Sequence, residues 1–226
     1  MPAPIRYPTL TADSINDGLV GAWLVHGASG EYLGDAGPSA YHGALVNGPS
    51  RHRDVFGGFL TCDAASTEHV RIDDSVQSLD GTRTFAGTFR TTDATASNRA
   101  LFSIGSSAGD GEYLWIYLNG NHKVATFISH ATGDDLSIES SPSRNDGAWH
   151  TWALTITGSS GSLYVDGVPA GDDTYDVPSL SMDRSAIGAL IRTSAGSGFT
   201  GDIADTRCWN RVLTTAELLA LFTDPF

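Results

Sequence analysis

Apolar and polar positions alternate most clearly between Gly147 and Gly167, GAWHTWALTITGSSGSLYVDG. Trp152, Leu154 and Ile156 fall on one face of this run, and Thr151, Ala153, Thr155 and Thr157 on the other. A period of two carried by aromatic and β-branched residues predicts a strand. Gly158-Ser159-Ser160-Gly161 predicts the turn, because glycine reaches positive φ without a Cβ clash. Leu163-Tyr164-Val165 then returns to a second turn signal at Asp166-Gly167. A hairpin alone cannot bury its apolar faces, so it requires a larger sheet.

The same alternation predicts strands over residues 19–24, 59–63, 69–72, 84–90, 100–105, 112–118 and 122–129, and another from 199. Asn119-Gly120-Asn121 joins two of them into a hairpin. There Leu114, Ile116 and Leu118 share one face, and Tyr113, Trp115 and Tyr117 the other. Such a strand is either buried on both sides or offers its aromatic side as a binding surface. Residues 130–146, and a turn around Asp172, Asp173 and Asp176, read as loops. In the last strand Ile203, Asp205, Arg207 and Trp209 share a face and alternate with Ala204, Thr206 and Cys208. Thr214 with Glu217 three residues on has the spacing of a capping box and predicts a short helix. Residues 1–18, with Pro2, Pro4 and Pro8, read as an extended arm, and 19–226 as one domain.

The chain has 226 residues, 40% of them hydrophobic, which suffices for one sizeable core. With 26 glycines and only 17% charged residues, it has the balance of an all-β sandwich. The formal net charge is −13 and no basic run occurs. Neither nucleic acid nor an anionic membrane surface is therefore an expected partner. Solubility and cation binding explain the acidity equally well. No stretch approaches a membrane span, and residues 1–18 lack the basic and apolar regions of a secretory signal.

Gly-x-Trp-His, the alternating strand and Leu-Tyr-Val-Asp-Gly together resemble the laminin-G-like jelly rolls of the concanavalin A-like lectin/glucanase superfamily. So does the ending FTGDIADTRCWNRVLTTAEL, from Phe199 to Leu218. The resemblance covers about residues 19–221 and implies a two-sheet antiparallel β-sandwich with a short C-terminal helix. It is looser at Cys62 and Ala64, where the family usually writes Phe-Asp-Gly, and at Phe89, where it usually has tryptophan. Two-cysteine chemistry stays open: Cys62 and Cys208 form one disulfide or remain two buried thiols. The resemblance implies that they sit on neighbouring strands.

Glucanases of this fold carry alternating acids on one strand, and no Glu-x-Asp-x-x-Glu occurs here. Glu139 stands alone, and Asp202 and Asp205, three apart, are expected on opposite strand faces. No nucleophile elbow, zinc-protease motif or phosphate loop occurs, and His150 beside Trp149 reads as structural. A non-catalytic binding or structural protein is therefore expected. Tyr113, Trp115 and Tyr117 are the candidate ligand residues, since flat rings stack on sugars; the competing reading places them in the core. Asp63, Asp73, Asp74 and Asp205 are the candidate oxygen ligands for Ca²⁺, with Asp205 also suited to pair with Arg207. The opening from Leu10 to Trp23 resembles small phage- and prophage-encoded members of the family. That resemblance implies a virion surface component, a capsid decoration or a fibre or tail adhesin. Its partners would be capsid or tail subunits, host glycans and further copies of itself. The alternative is a carbohydrate- or protein-binding module of a secreted bacterial adhesion protein at the cell surface.

Overall fold

The structure is a computed structural model and describes residues 15–25, 30–55, 57–73, 81–129, 135–176 and 182–223. In chain order its strands are β1 (Leu19–Leu24), β2 (Tyr32–Leu33), β3 (Gly43–Val46), β4 (Ser50–Asp54), β5 (Gly57–Cys62) and β6 (His69–Ile72). Then come β7 (Thr82–Arg90), β8 (Arg99–Gly105), β9 (Tyr113–Leu118), β10 (Val124–Ser129), β11 (Leu136–Glu139) and β12 (His150–Thr157). The last are β13 (Ser160–Val165), β14 (Val168–Thr174), β15 (Arg184–Ile187), β16 (Leu190–Ile191), β17 (Ala195–Gly196) and β18 (Gly201–Trp209), followed by helix α1 (Thr215–Thr223). Most of the predicted arm, residues 1–14, lies outside the described residues.

Two eight-stranded antiparallel sheets form the sandwich. The first runs β14-β13-β12-β7-β18-β5-β4 with β1 also beside β18, and the second runs β11-β10-β9-β8-β15-β6-β3-β2. Between them Phe85, Phe89, Trp152, Leu154 and Ile156 of the first sheet meet Phe102, Ile104, Leu114 and Ile116 of the second in one buried cluster. The rings of Phe102 and Trp152 stack at 6.3 Å. Gly87 lies opposite Trp152, and a Cβ there would come within 2.7 Å of its indole. The glycine in TFAGTFR is thus the space in which the indole lies.

The predicted central hairpin is β12–β13. Its turn is tighter than expected: Thr157 already pairs with Ser160, leaving Gly158 and Ser159 as the loop. The two signature ends of this hairpin meet in a polar clasp. His150 Nδ1 lies 3.0 Å from Asp166 and its Nε2 2.9 Å from Asp146. Asp166 also accepts hydrogen bonds from the Thr151 amide and from Arg144. Burial alone lowers the imidazole pKa, but the bonds to Asp166 and Asp146 outweigh it and hold it above the usual range. A raised folded pKa gives stability that is complete below about pH 6.5 and is lost as pH rises through the folded value. The melting temperature should accordingly fall as pH rises above about 6.5 through the raised value. In a calorimetric pH series, His150→Gln should remove that limb; an unchanged limb would assign it to another group.

The C-terminal motif is explained equally locally. Thr214 and Glu217 form the predicted capping box: the Glu217 amide donates to Thr214 Oγ1 and the Thr214 amide to Glu217 Oε2. Arg211 adds a two-pronged bond to the same carboxylate, at 2.9 and 2.7 Å. So capped, α1 packs Leu218 and Leu221 on Trp209, Ala86 and Ala153 of the first sheet's outer face. The start of the described chain is tied here too. Trp209 Nε1 donates to the Ile15 carbonyl, Arg211 Nε to that of Asp17, and the Asn210 amide to that of Gly18.

Three stretches differ from expectation. Residues 130–146 contain β11, and the acidic turn around Asp172 and Asp173 belongs to the edge strand β14. β4, SRHRD, has no apolar alternation because it too is an edge strand of the first sheet. Both outer strands carry charges, which discourage pairing with another chain. Cys62 and Cys208 are free and buried. They do sit on the neighbouring strands β5 and β18, but Cys62 pairs with Gly201, seven residues before Cys208 along β18. At about 3.3 Å per residue, that separation is far too long for a disulfide. Burial pushes both thiols up to about 12, so neither is a reactive thiolate at neutral pH.

Candidate functional site

Strand β9 alternates as the sequence predicts. Leu114, Ile116 and Leu118 enter the core, while Tyr113, Trp115 and Tyr117 stand on the outer face of the second sheet. The competing core reading holds for Trp115, which is only 8% exposed. Its indole stacks on Tyr117, with ring centroids 4.0 Å apart, and packs with Ala100 and Leu190. Tyr113 and Tyr117 are half-buried. The three rings therefore form a shelf in which Trp115 is the support and the tyrosines are the accessible parts.

Two neighbours complete the shelf. Phe127, half-buried on β10, sits directly opposite Trp115 and packs at 6.0 Å from Tyr113. The β16–β17 hairpin folds over β8 and walls the other side, bringing Leu190 to Trp115 and the Arg192 guanidinium over the Tyr113 ring at 5.5 Å. Gly105 lets this wall approach: a Cβ there would lie 1.9 Å from the Ile191 carbonyl oxygen. Ser103 fixes the wall, donating to the Ala189 carbonyl and accepting from the Ile191 amide. Beyond Tyr117, Glu139 binds Lys123 and Asn119. Burial and the Glu139 charge raise the Tyr117 phenol pKa, keeping it a neutral hydrogen-bonding group. The predicted turn misplaced Phe127: a loop over 119–121 would set Ala125 opposite Trp115, whereas the observed loop spans 119–123 and sets Phe127 there, so Phe127 was not legible as a shelf residue. Nor was Arg192, because two-residue strands show no period.

Of the expected calcium ligands, the described Asp63, Asp73 and Asp205 lie apart from one another in separate contacts. Asp63 caps a short 3₁₀ helix by accepting from the Ala65 amide, and Asp73 pairs with Arg71. Asp205 is buried against Arg207 at 2.8 Å, and burial raises its pKa. Asp74 lies outside the described residues. Among the described residues, no three His, Cys, Asp or Glu side chains gather as a metal site.

The acid pair needs a correction. A register shift between Ile203 and Asp205 inserts Ala204 as a bulge in β18. Ile203 consequently faces the core, whereas Asp205, Arg207 and Trp209 face outward. The bulge also puts Asp202 and Asp205 on the same outer face. Each carboxylate is held by an arginine: Asp202 by Arg90 at 2.6 Å, Asp205 by Arg207. Arg90 itself lies between the rings of Phe59 and Trp149, at 4.7 and 4.5 Å.

The two facing antiparallel sheets with their shared core define a jelly-roll domain. Solved structures agree in fold. The binding domain of Paraclostridial Mosquitocidal Protein 1 superposes with a TM-score of 0.70 at 11% identity, over 92% of this chain and 52% of that one. A botulinum neurotoxin type C structure, whose cell entry depends on two ganglioside molecules, gives 0.69 at 11%, over 93% and 52%. The CBM40 of a Ruminococcus gnavus IT-sialidase, also solved with sialyllactose, gives 0.55 at 17%, over 63% and 83%. The chain thus spans about half the length of the toxin domains it matches. No curated protein matches it in sequence. The family model of the laminin-G-like domains matches residues 64–219, and the chain belongs to the concanavalin A-like lectin/glucanase superfamily.

Proposed function

We propose that the protein is a non-catalytic binding module that takes a short oligosaccharide on the outer face of its second sheet. The observation that carries this reading is the shelf itself. Tyr113, Tyr117 and Phe127 remain partly open around a supporting Trp115, on a face where solvation favours polar side chains. Aromatic rings with a polar edge suit the apolar faces and hydroxyls of pyranoses. From Tyr113 to Tyr117 the shelf runs about 13 Å along the strand, room for a short oligosaccharide. The sialyllactose and ganglioside ligands of similarly folded domains support the class of ligand. The opening from Leu10 to Trp23 supports a place on a virion surface, held by capsid or tail subunits, over a secreted adhesin.

A glycan array tests the module. Trp115→Ala would confound the result, since deleting so buried a ring costs about 3–5 kcal/mol. Tyr117→Ala is the cleaner variant. It should weaken the best glycan about tenfold, the scale of one ring's stacking, with the melting temperature nearly unchanged. An array without hits, or a Tyr117→Ala variant that binds as well as the parent, would refute the reading.

A further inference from the structure

We infer that the oligosaccharide taken by the shelf is acidic, with a carboxylate seated at Arg192; this rests on the shelf being the ligand site. Two observations converge. Arg192 is held over Tyr113 at one end of the shelf by a hairpin that Ser103 pins to β8. Its guanidinium makes one long bond, 3.4 Å, to the Asp110 carbonyl. The acid beside it, Asp110, turns Oδ1 to the Thr193 amide and hydroxyl, and feels the guanidinium charge without forming a close ion pair with it. Most other described arginines in this chain are bound to a carboxylate, as Arg71, Arg90, Arg99, Arg144, Arg184, Arg207 and Arg211 are. With 26 acids to 13 bases, an arginine beside an aromatic surface without such a partner is conspicuous.

The second observation is chemical: a guanidinium can only donate, so it calls for an acceptor on the ligand. A guanidinium offers a planar fork that matches a carboxylate, and its stacking on Tyr113 fixes that plane beside a ring on which a sugar can lie. The net charge of −13 repels anions at long range, but salt screens it beyond about 8 Å. Selection for the acid is therefore left to the local cation.

The test uses matched pairs of acidic oligosaccharides and their carboxyl-reduced counterparts, titrated against the whole chain. The parent protein should bind the acidic member at least about tenfold more tightly, the scale of one charge-assisted hydrogen bond. Arg192→Gln should erase that preference, weakening the acidic member far more than the reduced one. Tyr117→Ala should weaken both members alike. Equal binding of the two members by the parent, or a preference that survives Arg192→Gln, would overturn the acidic assignment and leave the glycan reading standing. Failure of every pair to bind would overturn both.

Discussion

Gly105→Ala should lower the melting temperature by about 2–12 °C and detach the wall of the aromatic shelf. The new methyl would sit 1.9 Å from the Ile191 carbonyl oxygen. That neighbour is backbone, so no side-chain rotation relieves the clash. Overpacking of this kind costs about 1–3 kcal/mol, and each kcal/mol shifts a chain of this size by about 2–4 °C. If the β16–β17 hairpin lifts instead, Ser103 loses both of its bonds to it, Leu190 leaves Trp115, and Arg192 leaves Tyr113. Hydrogen exchange at the Ile191 amide should accelerate in the variant. Gly196→Ala in the same hairpin is the control, since its Cβ meets nothing within 4 Å. Equal behaviour of the two variants would show that the hairpin does not lean on β8.

Glu217→Gln should cost about 2–3 kcal/mol at neutral pH and almost nothing near pH 2. Glu217 has a side chain only 7% exposed, and the Arg211 bond, followed by the Thr214 bonds, lowers its pKa to about 2 against the pull of burial. A depressed folded pKa gives stability that is present above the unfolded value near 4.5 and is lost as pH falls through the folded one. A drop of that size corresponds to about 3 kcal/mol. Removing the charge also weakens the cap of α1, whose apolar face covers Trp209 and Ala153. Urea titrations at pH 7 and at low pH should show parent and variant far apart in the first and converging in the second. A constant difference across pH would mean that the glutamate acts by shape and not by charge.

These elements also show what a sequence can and cannot carry. β12 and β13 were legible because one face is core and the other lies against a helix or neighbouring strands, so burial imposed a period of two. The capping box was legible because its two partners are three residues apart. The bulge at Ala204 was not, since a small residue in an alternating run gives no local sign that the register slips. The slip moves Ile203 to the core and Asp202 to the side of Asp205. The β16–β17 wall left only an indirect trace: glycine ending the apolar strand before Ser106, a mark of close backbone approach. The shelf was half visible. Its three rings could be read from β9, but which ring is support and which is open depends on Leu190, a residue 75 positions further on (190 − 115).

The ties from Trp209, Asn210 and Arg211 to Ile15, Asp17 and Gly18 have a consequence for modularity. The described chain enters and leaves the sandwich at one corner, with β1 alongside β18 and α1 just after it. A unit whose two ends share a doorway can be spliced into a surface loop of another protein, or strung in tandem, through short joints. The face bearing Tyr113 and Tyr117 belongs to the other sheet. A carrier protein attached at that corner would leave the shelf uncovered, whichever surface displays it.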